Sequence, residues 1–366
     1  MSQLPILCRC CRDIATSLLV LLCTSCGELN YYSQALRGHV EIMKGSRPIE
    51  QLLTLDTTPK ESKKQLKAVL EIRKFASEIL HLPDNNSYKS FTELKRDYVV
   101  WNVFAAAEFS TDLLTWCFPI TGCLPYRGYF GRNDALDYAR QLESEGHDVH
   151  VGGVSAYSTL GWFADPVLDT MLGHGMTWAA RIIFHELAHQ KLYIQNDTEL
   201  NEAFADTVAM IGVRMWLQSN SQDAEYESFR EQLVREADFH ALVTEFRERY
   251  KVLYAQDMPD DEKRRRKEEL HRDMYRKYHL LKEFKWGKNT EYDTWFGDNP
   301  NNARIGTITT YRDLAPQLED LYLANGGDIQ KFYETMQTLS VCTRDERRKF
   351  LADAHTETSS NRSCRP

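Results

Sequence analysis

The stretch Arg181-Ile-Ile-Phe-His-Glu-Leu-Ala-His-Gln190 decides how the rest of the chain is interpreted, because it places two histidines and a glutamate in an apolar segment. Side chains four residues apart lie one above the other on an α-helix, so His185 and His189 can bind the same metal ion. Glu186 then lies beside that ion, where its carboxylate can take a proton from a metal-bound water and pass it to a leaving group. The spacing predicts a zinc-hydrolase helix.

The apolar surroundings of this motif favour a metal site. Alanine, isoleucine, phenylalanine and leucine fill most positions from Ala179 to Ala188. An ionised Glu186 in such a helix costs several kcal/mol unless a positive charge compensates it. The alternative interpretation is an ordinary core helix that happens to contain two histidines and a buried glutamate.

A catalytic zinc site needs a third protein ligand and an open position for water. Leu192 and Gln195 stand where a metzincin has glycine and histidine, so the third ligand must come from another segment. The segment Asn196-Asp-Thr-Glu-Leu-Asn-Glu-Ala-Phe-Ala-Asp206 has a helix-start pattern at its beginning. We therefore predict a helix from residue 196 through Met210 or beyond.

Three carboxylates of this second helix are candidates for the metal site. Glu202 is the predicted third ligand, and Asp206, on the same face, can accept a hydrogen bond from the free ring nitrogen of a ligating histidine. Glu199 lies one turn earlier on the same side and is the rival ligand.

The combined pattern resembles known zinc peptidases. His185-Glu186-x-x-His189 followed by Asn201-Glu202-x-x-Ala205-Asp206 resembles the gluzincin pattern of thermolysin-like and M1-type peptidases. Four stretches resemble a bacterial family of predicted lipoprotein aminopeptidases: Ala156-Tyr-Ser-Thr-Leu-Gly-Trp-Phe-Ala-Asp-Pro166, the two motifs themselves, and Asn301-Asn-Ala-Arg304 near Tyr311. The resemblance covers nearly the whole chain after residue 26. It implies one zinc ion, peptide hydrolysis and a cell-envelope location.

The favoured function is therefore a zinc metallopeptidase that removes N-terminal residues from peptides in the cell envelope. Two alternatives stay open. One is a zinc endopeptidase acting on envelope proteins, which would tolerate blocked N termini. The other is a lipoprotein that binds peptides in the same cleft without cleaving them.

Residues 1–26 have the pattern of a lipoprotein signal peptide. Two arginines precede an apolar run from Ile14 to Cys23, which is too short to span a bilayer as a stable helix. Cys26 follows Leu22-Cys-Thr-Ser25, which resembles a bacterial lipobox, although a leucine is usual where Cys23 stands. We expect a lipid anchor on Cys26 at the periplasmic face, and Gly27 is compatible with the outer membrane. The alternatives are a plain secretory signal and a wrongly assigned start of the sequence.

The overall composition excludes a nucleic-acid role. Of 366 residues, 42% are hydrophobic and 27% are charged, which is ordinary for a globular protein. The formal net charge of −8 provides no positive field to attract phosphates. The basic run 263–267 is followed by two glutamates and is interpreted as a solvated helix face.

The predicted fold class is mainly α with a small β region (α+β), with a zincin-like metallopeptidase core between N-terminal and C-terminal helical parts. The predicted divisions are an N-terminal helical scaffold (27–110), the catalytic core (111–220), a C-terminal helical region that completes the cleft (221–352) and a disordered tail (353–366). In the scaffold, helices are predicted at 31–45, 48–55, 60–82 and 88–109. The chain from 217 to 286 is predicted to be helical with a break at Pro259, residues 289–302 to be a loop, and 303–324 with 328–338 to form a final helical pair.

The predicted strands lie between residues 117 and 166. Residues 126–130 and 150–157 have strand patterns, with a helix over 133–146 between them. Cys117 and Cys123 flank a turn-forming run and are predicted to form a disulfide bond in an oxidising compartment. Val154 to Thr159 is the candidate edge strand that pairs with substrate beside the metal helix; the alternative is a strand that only packs.

Catalysis also needs a donor that stabilises the oxyanion of the transition state. Tyr311 is the leading candidate because it follows the stretch at 301–304 that carries the resemblance, and Tyr193 and Tyr157 are its rivals. Val154 and Tyr157 are predicted to contact substrate, and Glu199 to bind the substrate's ammonium group. Tyr126, Arg127 and Tyr157 are further candidates to reach the cleft, although their spacing does not show it.

Overall fold

The computed structural model describes residues 29–118, 122–159, 161–297, 300–308 and 314–354. Helices dominate these ranges, and the strands form three small sheets. The predicted fold class, mainly α with a small β region, is therefore confirmed. Within the same ranges, no helix combines the length and the apolar character that crossing a bilayer requires.

The first three predicted helices are confirmed. They are α1 over residues 29–45, α2 (Ile49–Thr54) and α3 (Lys60–Glu78). Pro48 and Pro59 directly precede α2 and α3. Proline suits a helix start because its fixed φ is compatible with the first turn and its missing N–H has no intrahelical partner there.

The fourth predicted helix, over residues 88–109, is wrong. This segment instead forms strands β2 (Ser90–Thr92) and β3 (Val100–Ala107). β-Branched side chains such as Val100 and Val103 lose rotamer freedom in a helix but pack well on a pleated surface. The predicted scaffold is helical only as far as α3, because pairing with distant strands outweighs the local apolar pattern of β3.

The largest β element is an antiparallel sheet with strand order β6-β3-β7. Strands β6 (Arg127–Tyr129) and β7 (His147–Val154) lie on either side of β3, and α4 (Arg132–Ser144) packs against the sheet. These elements confirm the predicted strand-helix-strand region. Strand β7 lies at a sheet edge, but it ends at Val154, whose partner Val100 is the first residue of β3. The edge strand predicted for Val154 to Thr159 is therefore wrong beyond its first residue.

Two smaller sheets complete the β region. Strands β1 (Arg47–Pro48), β2 and β8 (Val167–Leu168) form one of them. Strands β4 (Trp116–Phe118) and β5 (Gly122–Leu124) form a hairpin in which Cys117 and Cys123 are opposite each other and joined by a disulfide bond.

The centre of the molecule is a pair of buried helices, α6 (Met176–Lys191) and α7 (Thr198–Ser219), preceded by the short helix α5 (Asp169–Leu172). Gly212 of α7 makes their close approach possible. A Cβ atom at this position would lie 2.6 Å from Cδ1 of Leu80 and 2.8 Å from Cδ2 of Phe184.

The C-terminal part contains a long helical hairpin followed by shorter helices. The hairpin consists of α8 (Asp223–Tyr254) and α9 (Asp260–Phe284), and Pro259 precedes α9 as predicted. The shorter helices are α10 (Asp293–Gly297), α11 (Asn302–Ile308), α12 (Ala315–Ala324), α13 (Ile329–Ser340) and α14 (Arg344–Ala354). Helix α10 interrupts the segment that was predicted to be a loop, and α14 extends two residues into the predicted tail, whose remainder lies outside the described residues.

The asparagines at 301 and 302 connect this part to the large sheet. Asn302 is fully buried, and its amide donates hydrogen bonds to the carbonyls of Ala107 at 3.1 Å and Glu108 at 2.7 Å. The amide of Asn301 donates to the carbonyl of Val149 in β7 at 2.7 Å. Through these contacts, the stretch from Asn301 to Arg304 anchors α11 to the large sheet.

Candidate metal centre

Helix α6 presents its histidines at a partly open side of an otherwise buried surface. Ile183, Phe184 and Leu187 are fully buried in the main core, and His189 is 6% exposed. His185 and Glu186 keep part of their surface accessible. The helix is therefore stabilised by its apolar residues while its polar side chains face a site.

The turn between α6 and α7 is closed by Asn201. Its side-chain amide accepts a hydrogen bond from the N–H of Ile194 and donates one to the carbonyl of the same residue, both at 2.8 Å. Helix α7 begins at Thr198 with Asp197 before it, two residues later than the predicted start. Because Asn201 is 2% exposed and both its side-chain oxygen and its nitrogen are hydrogen-bonded to Ile194, it holds the first turns of α7 with Glu202 facing α6.

The side chains of His185, His189 and Glu202 converge. The two Nε2 atoms lie 3.1 Å apart, and carboxylate oxygens of Glu202 lie 3.4 Å from Nε2 of His185 and 3.6 Å from Nε2 of His189. One ligand atom from each residue falls within 4.8 Å of the others, so this group could hold a metal ion. The structure brings together the three side chains that were predicted to be ligands.

The electrostatics of this group fit a cation. Burial by itself would lower the pKa of His185, but hydrogen bonds to Asp206 and Glu202 raise it to about 10. Burial would likewise raise the pKa of Glu202, but hydrogen bonds from His185 and His189 hold it at about 2. The carboxylates thus require positive charge at this point. Two imidazole nitrogens and one carboxylate oxygen are also a donor set of catalytic zinc sites.

Asp206 lies behind the first histidine. Its Oδ1 atom is 3.2 Å from Nδ1 of His185. A carboxylate in this position accepts a hydrogen bond from Nδ1–H, which leaves the lone pair of Nε2 directed at the metal position. The structure therefore places Asp206 where the sequence predicted it.

Tyr126 is electrostatically coupled to the predicted ligand Glu202 and to Glu186. Burial raises the pKa of Tyr126 to about 12, and the negative charges of Glu202 and Glu186 contribute to this shift. The phenol therefore lies within electrostatic reach of a ligand and of the predicted base, and it stays protonated at neutral pH. No sequence signal marks Tyr126, because its position depends on the turn between β5 and β6 and on packing against the ring of Phe104, 5.6 Å away.

The stretch from Ala156 to Pro166 is held beside α6. Buried Asp165 accepts hydrogen bonds from the N–H of Thr159 at 2.9 Å and from its hydroxyl at 2.8 Å. The carbonyl of Asp165 accepts a hydrogen bond from the N–H of Tyr88, which has a left-handed φ of 62°. Burial, followed by the charges of Glu186 and Asp165, raises the pKa of Tyr88 well above its ordinary value. Tyr88 and Asp165 therefore lie within electrostatic reach of Glu186, the predicted base.

Other predicted site residues take different positions. The ring of Tyr193 is 6.4 Å from that of His189 and 47% exposed, whereas the hydroxyl of Tyr157 lies 3.3 Å from Nδ1 of His39. Val154 pairs with Val100 within the sheet.

Glu199 is engaged elsewhere. Its carboxylate pairs with Arg344 at 3.2 Å and with Arg348 at 2.8 Å. The structure therefore favours Glu202 over Glu199 as third ligand, and contact between Glu199 and a substrate ammonium stays a prediction. Tyr311 and Cys26 lie outside the described residues, so their roles stay predictions as well.

Comparison with known proteins agrees with a peptidase. A family model described as "Putative aminopeptidase" matches residues 30–351, a span that includes all of the candidate metal centre. No curated protein and no solved structure matches the chain. The chain belongs to the family described as "Putative aminopeptidase".

Proposed function

We propose that this chain is a zinc-dependent aminopeptidase with a zincin-like core, in which His185, His189 and Glu202 bind one zinc ion and Glu186 is the general base. The observation that carries the proposal is the convergence of the three ligand side chains, with Glu186 adjacent to one of them on a partly open side. The family description supports a peptide as the substrate.

The residues of the site have complementary roles in this reaction. Zinc supplies Lewis acidity, which polarises the scissile carbonyl and makes water a stronger acid. Glu186 accepts the proton of the attacking water and transfers it to the leaving amine. The protonated phenol of Tyr126 donates a hydrogen bond to the carbonyl oxygen as negative charge develops on it, a role for which Tyr311 stays the other candidate. Asp206 keeps His185 in the tautomer that binds metal.

The test is hydrolysis of two peptides that differ only in whether the N terminus is free or acetylated. The zinc-loaded full chain is compared with Glu186→Gln, which should lower the rate on the order of 10³-fold because general-base catalysis contributes about 10²- to 10⁴-fold. Glu319→Gln is the matched control, since Glu319 lies on α12 and pairs with Arg214, outside the ligand group. A chelator should abolish the activity, and added zinc should restore it.

The outcome distinguishes the candidate functions. Cleavage of the free peptide alone, lost in Glu186→Gln and kept in Glu319→Gln, establishes an aminopeptidase. Cleavage of both peptides indicates an endopeptidase. If the zinc-loaded protein cleaves neither peptide, the proposal is wrong and a peptide-binding role takes its place.

We also propose that the protein acts in the bacterial cell envelope, at the periplasmic face, and is anchored through a lipid on Cys26. The basic and apolar pattern of residues 1–26 and the lipobox-like sequence before Cys26 support this location. Incorporation of labelled palmitate into the wild-type chain but not into Cys26→Ser is the expected result. Labelling of both, or of neither, would contradict the anchor.

A further inference from the structure

A row of charged side chains leads from the metal centre to the C-terminal hairpin. Arg181 lies one turn before His185 on α6. Its Nη1 and Nη2 atoms donate hydrogen bonds to the two carboxylate oxygens of Glu236 on α8, at 3.2 Å and 3.4 Å. The same Nη2 lies 3.9 Å from Oδ1 of Asp206, the atom that is 3.2 Å from Nδ1 of His185. The contacts thus form one continuous series of charged and polar side chains: Glu236, Arg181, Asp206 and His185.

These charges are shielded from solvent. The side chains of Arg181, Glu236, Asp206 and His185 are 10%, 16%, 18% and 19% exposed. Charge interactions in such surroundings are screened much less than at the surface. The guanidinium also lies 5.9 Å from the ring of Trp178, which restricts it further.

Positive and negative side chains alternate along this series, so each one influences the position of its neighbour. Arg181 stands between two carboxylates, and its positive charge attracts the Asp206 oxygen that faces Nδ1 of His185. The bidentate contact with Glu236 fixes the plane of the guanidinium and balances its charge. Without Glu236, Arg181 would draw Asp206 away from His185. Without Arg181, two carboxylates would remain in a poorly solvated region without their shared cation.

We propose that Arg181 and Glu236 are positioning residues for the metal centre, acting on metal affinity through Asp206 and His185. This inference rests on the proposed function, because it presupposes that His185 binds metal. It also gives α8 a definite role, since the C-terminal hairpin contributes the outermost member of the series.

The experiment measures zinc affinity of the full chain by competition with a chromophoric chelator, together with the melting temperature with and without zinc. Arg181→Met removes the charge at similar length, and Glu236→Gln keeps the shape but removes the balancing carboxylate. The control is Arg214→Met on α7, whose partner Glu319 lies 3.2 Å away on α12 and outside the ligand group. Loss of an outer partner of a metal ligand typically lowers affinity about 10- to 100-fold. We expect that loss for Arg181→Met, about tenfold for Glu236→Gln, and less than about twofold for the control.

A purely structural role predicts a different pattern. Lower melting temperatures in the zinc-free variants with wild-type zinc affinity would overturn the inference while leaving the proposed function intact. If Arg181→Met does not fold, Glu236→Gln decides the question by the same affinity measurement. If the wild-type chain itself fails to bind zinc, both the proposed function and this inference are wrong.

Discussion

The start of α7 is held by an ion pair whose loss should strongly destabilise the protein. The side chain of Asp197 is fully buried and accepts hydrogen bonds from Nε of Arg347 at 2.8 Å and from Nη2 of Arg348 at 2.7 Å. The side chain of Arg347 is itself only 7% exposed. Asp197→Asn keeps the shape of the side chain but removes the charge that these arginines require.

The remaining contacts of Arg347 and Arg348 determine how much free energy of unfolding Asp197→Asn should cost. Removing one partner of a buried ion pair typically costs about 3–5 kcal/mol, because the remaining charge is uncompensated. Arg347 keeps a hydrogen bond to the carbonyl of Cys342, and Arg348 keeps its contact with Glu199 at 2.8 Å. We therefore expect the low end of that range, a loss of about 3 kcal/mol in the free energy of unfolding.

A second ion pair on the same helix provides the control. Arg214 and Glu319 lie 3.2 Å apart, with side chains 34% and 43% exposed. Glu319→Gln should lower the free energy of unfolding by less than about 1 kcal/mol, because solvent screens exposed pairs. Urea unfolding followed by circular dichroism at pH 7 measures both variants. If Asp197→Asn lowers the free energy of unfolding by no more than Glu319→Gln does, burial does not control the strength of these ion pairs and the reasoning is refuted.

Three further predictions concern catalysis, pH and packing. Tyr126→Phe should lower kcat about 10²- to 10³-fold with little change in zinc affinity, because one oxyanion donor is lost; steady-state kinetics with wild-type kcat would exclude this role. Burial, followed by the charge of Lys267, lowers the pKa of His271 from 6.5 to about 4. The unfolded chain therefore binds a proton that the folded chain rejects, and stability should fall by about 2 kcal/mol as the pH drops from 6.5 to 4. Urea unfolding across this range should show a smaller fall for His271→Phe. Gly212→Ala should lower the free energy of unfolding by about 1–3 kcal/mol, because the added methyl group meets Leu80 and Phe184; an unchanged urea midpoint would contradict this.

Local periodicity made the centre of the site predictable from the sequence. The spacing of His185 and His189 follows directly from helix geometry, since residues four apart share a face. The same geometry relates Glu202 to Asp206 on the next helix. These relations hold within one or two helical turns, so they require no knowledge of distant contacts.

Tertiary structure decided what depends on residues far apart in the chain. The segment 88–109 became strands because β3 pairs with β6 and β7. Tyr126 comes within electrostatic reach of Glu186 only in the folded chain, and Glu236 bonds to Arg181 only when α8 is brought near α6. The sequence by itself determined the metal-ligand motif, because helix geometry sets which nearby side chains meet. Only the folded chain decided which distant groups surround that motif, since strand pairing and helix packing depend on contacts that no local pattern encodes.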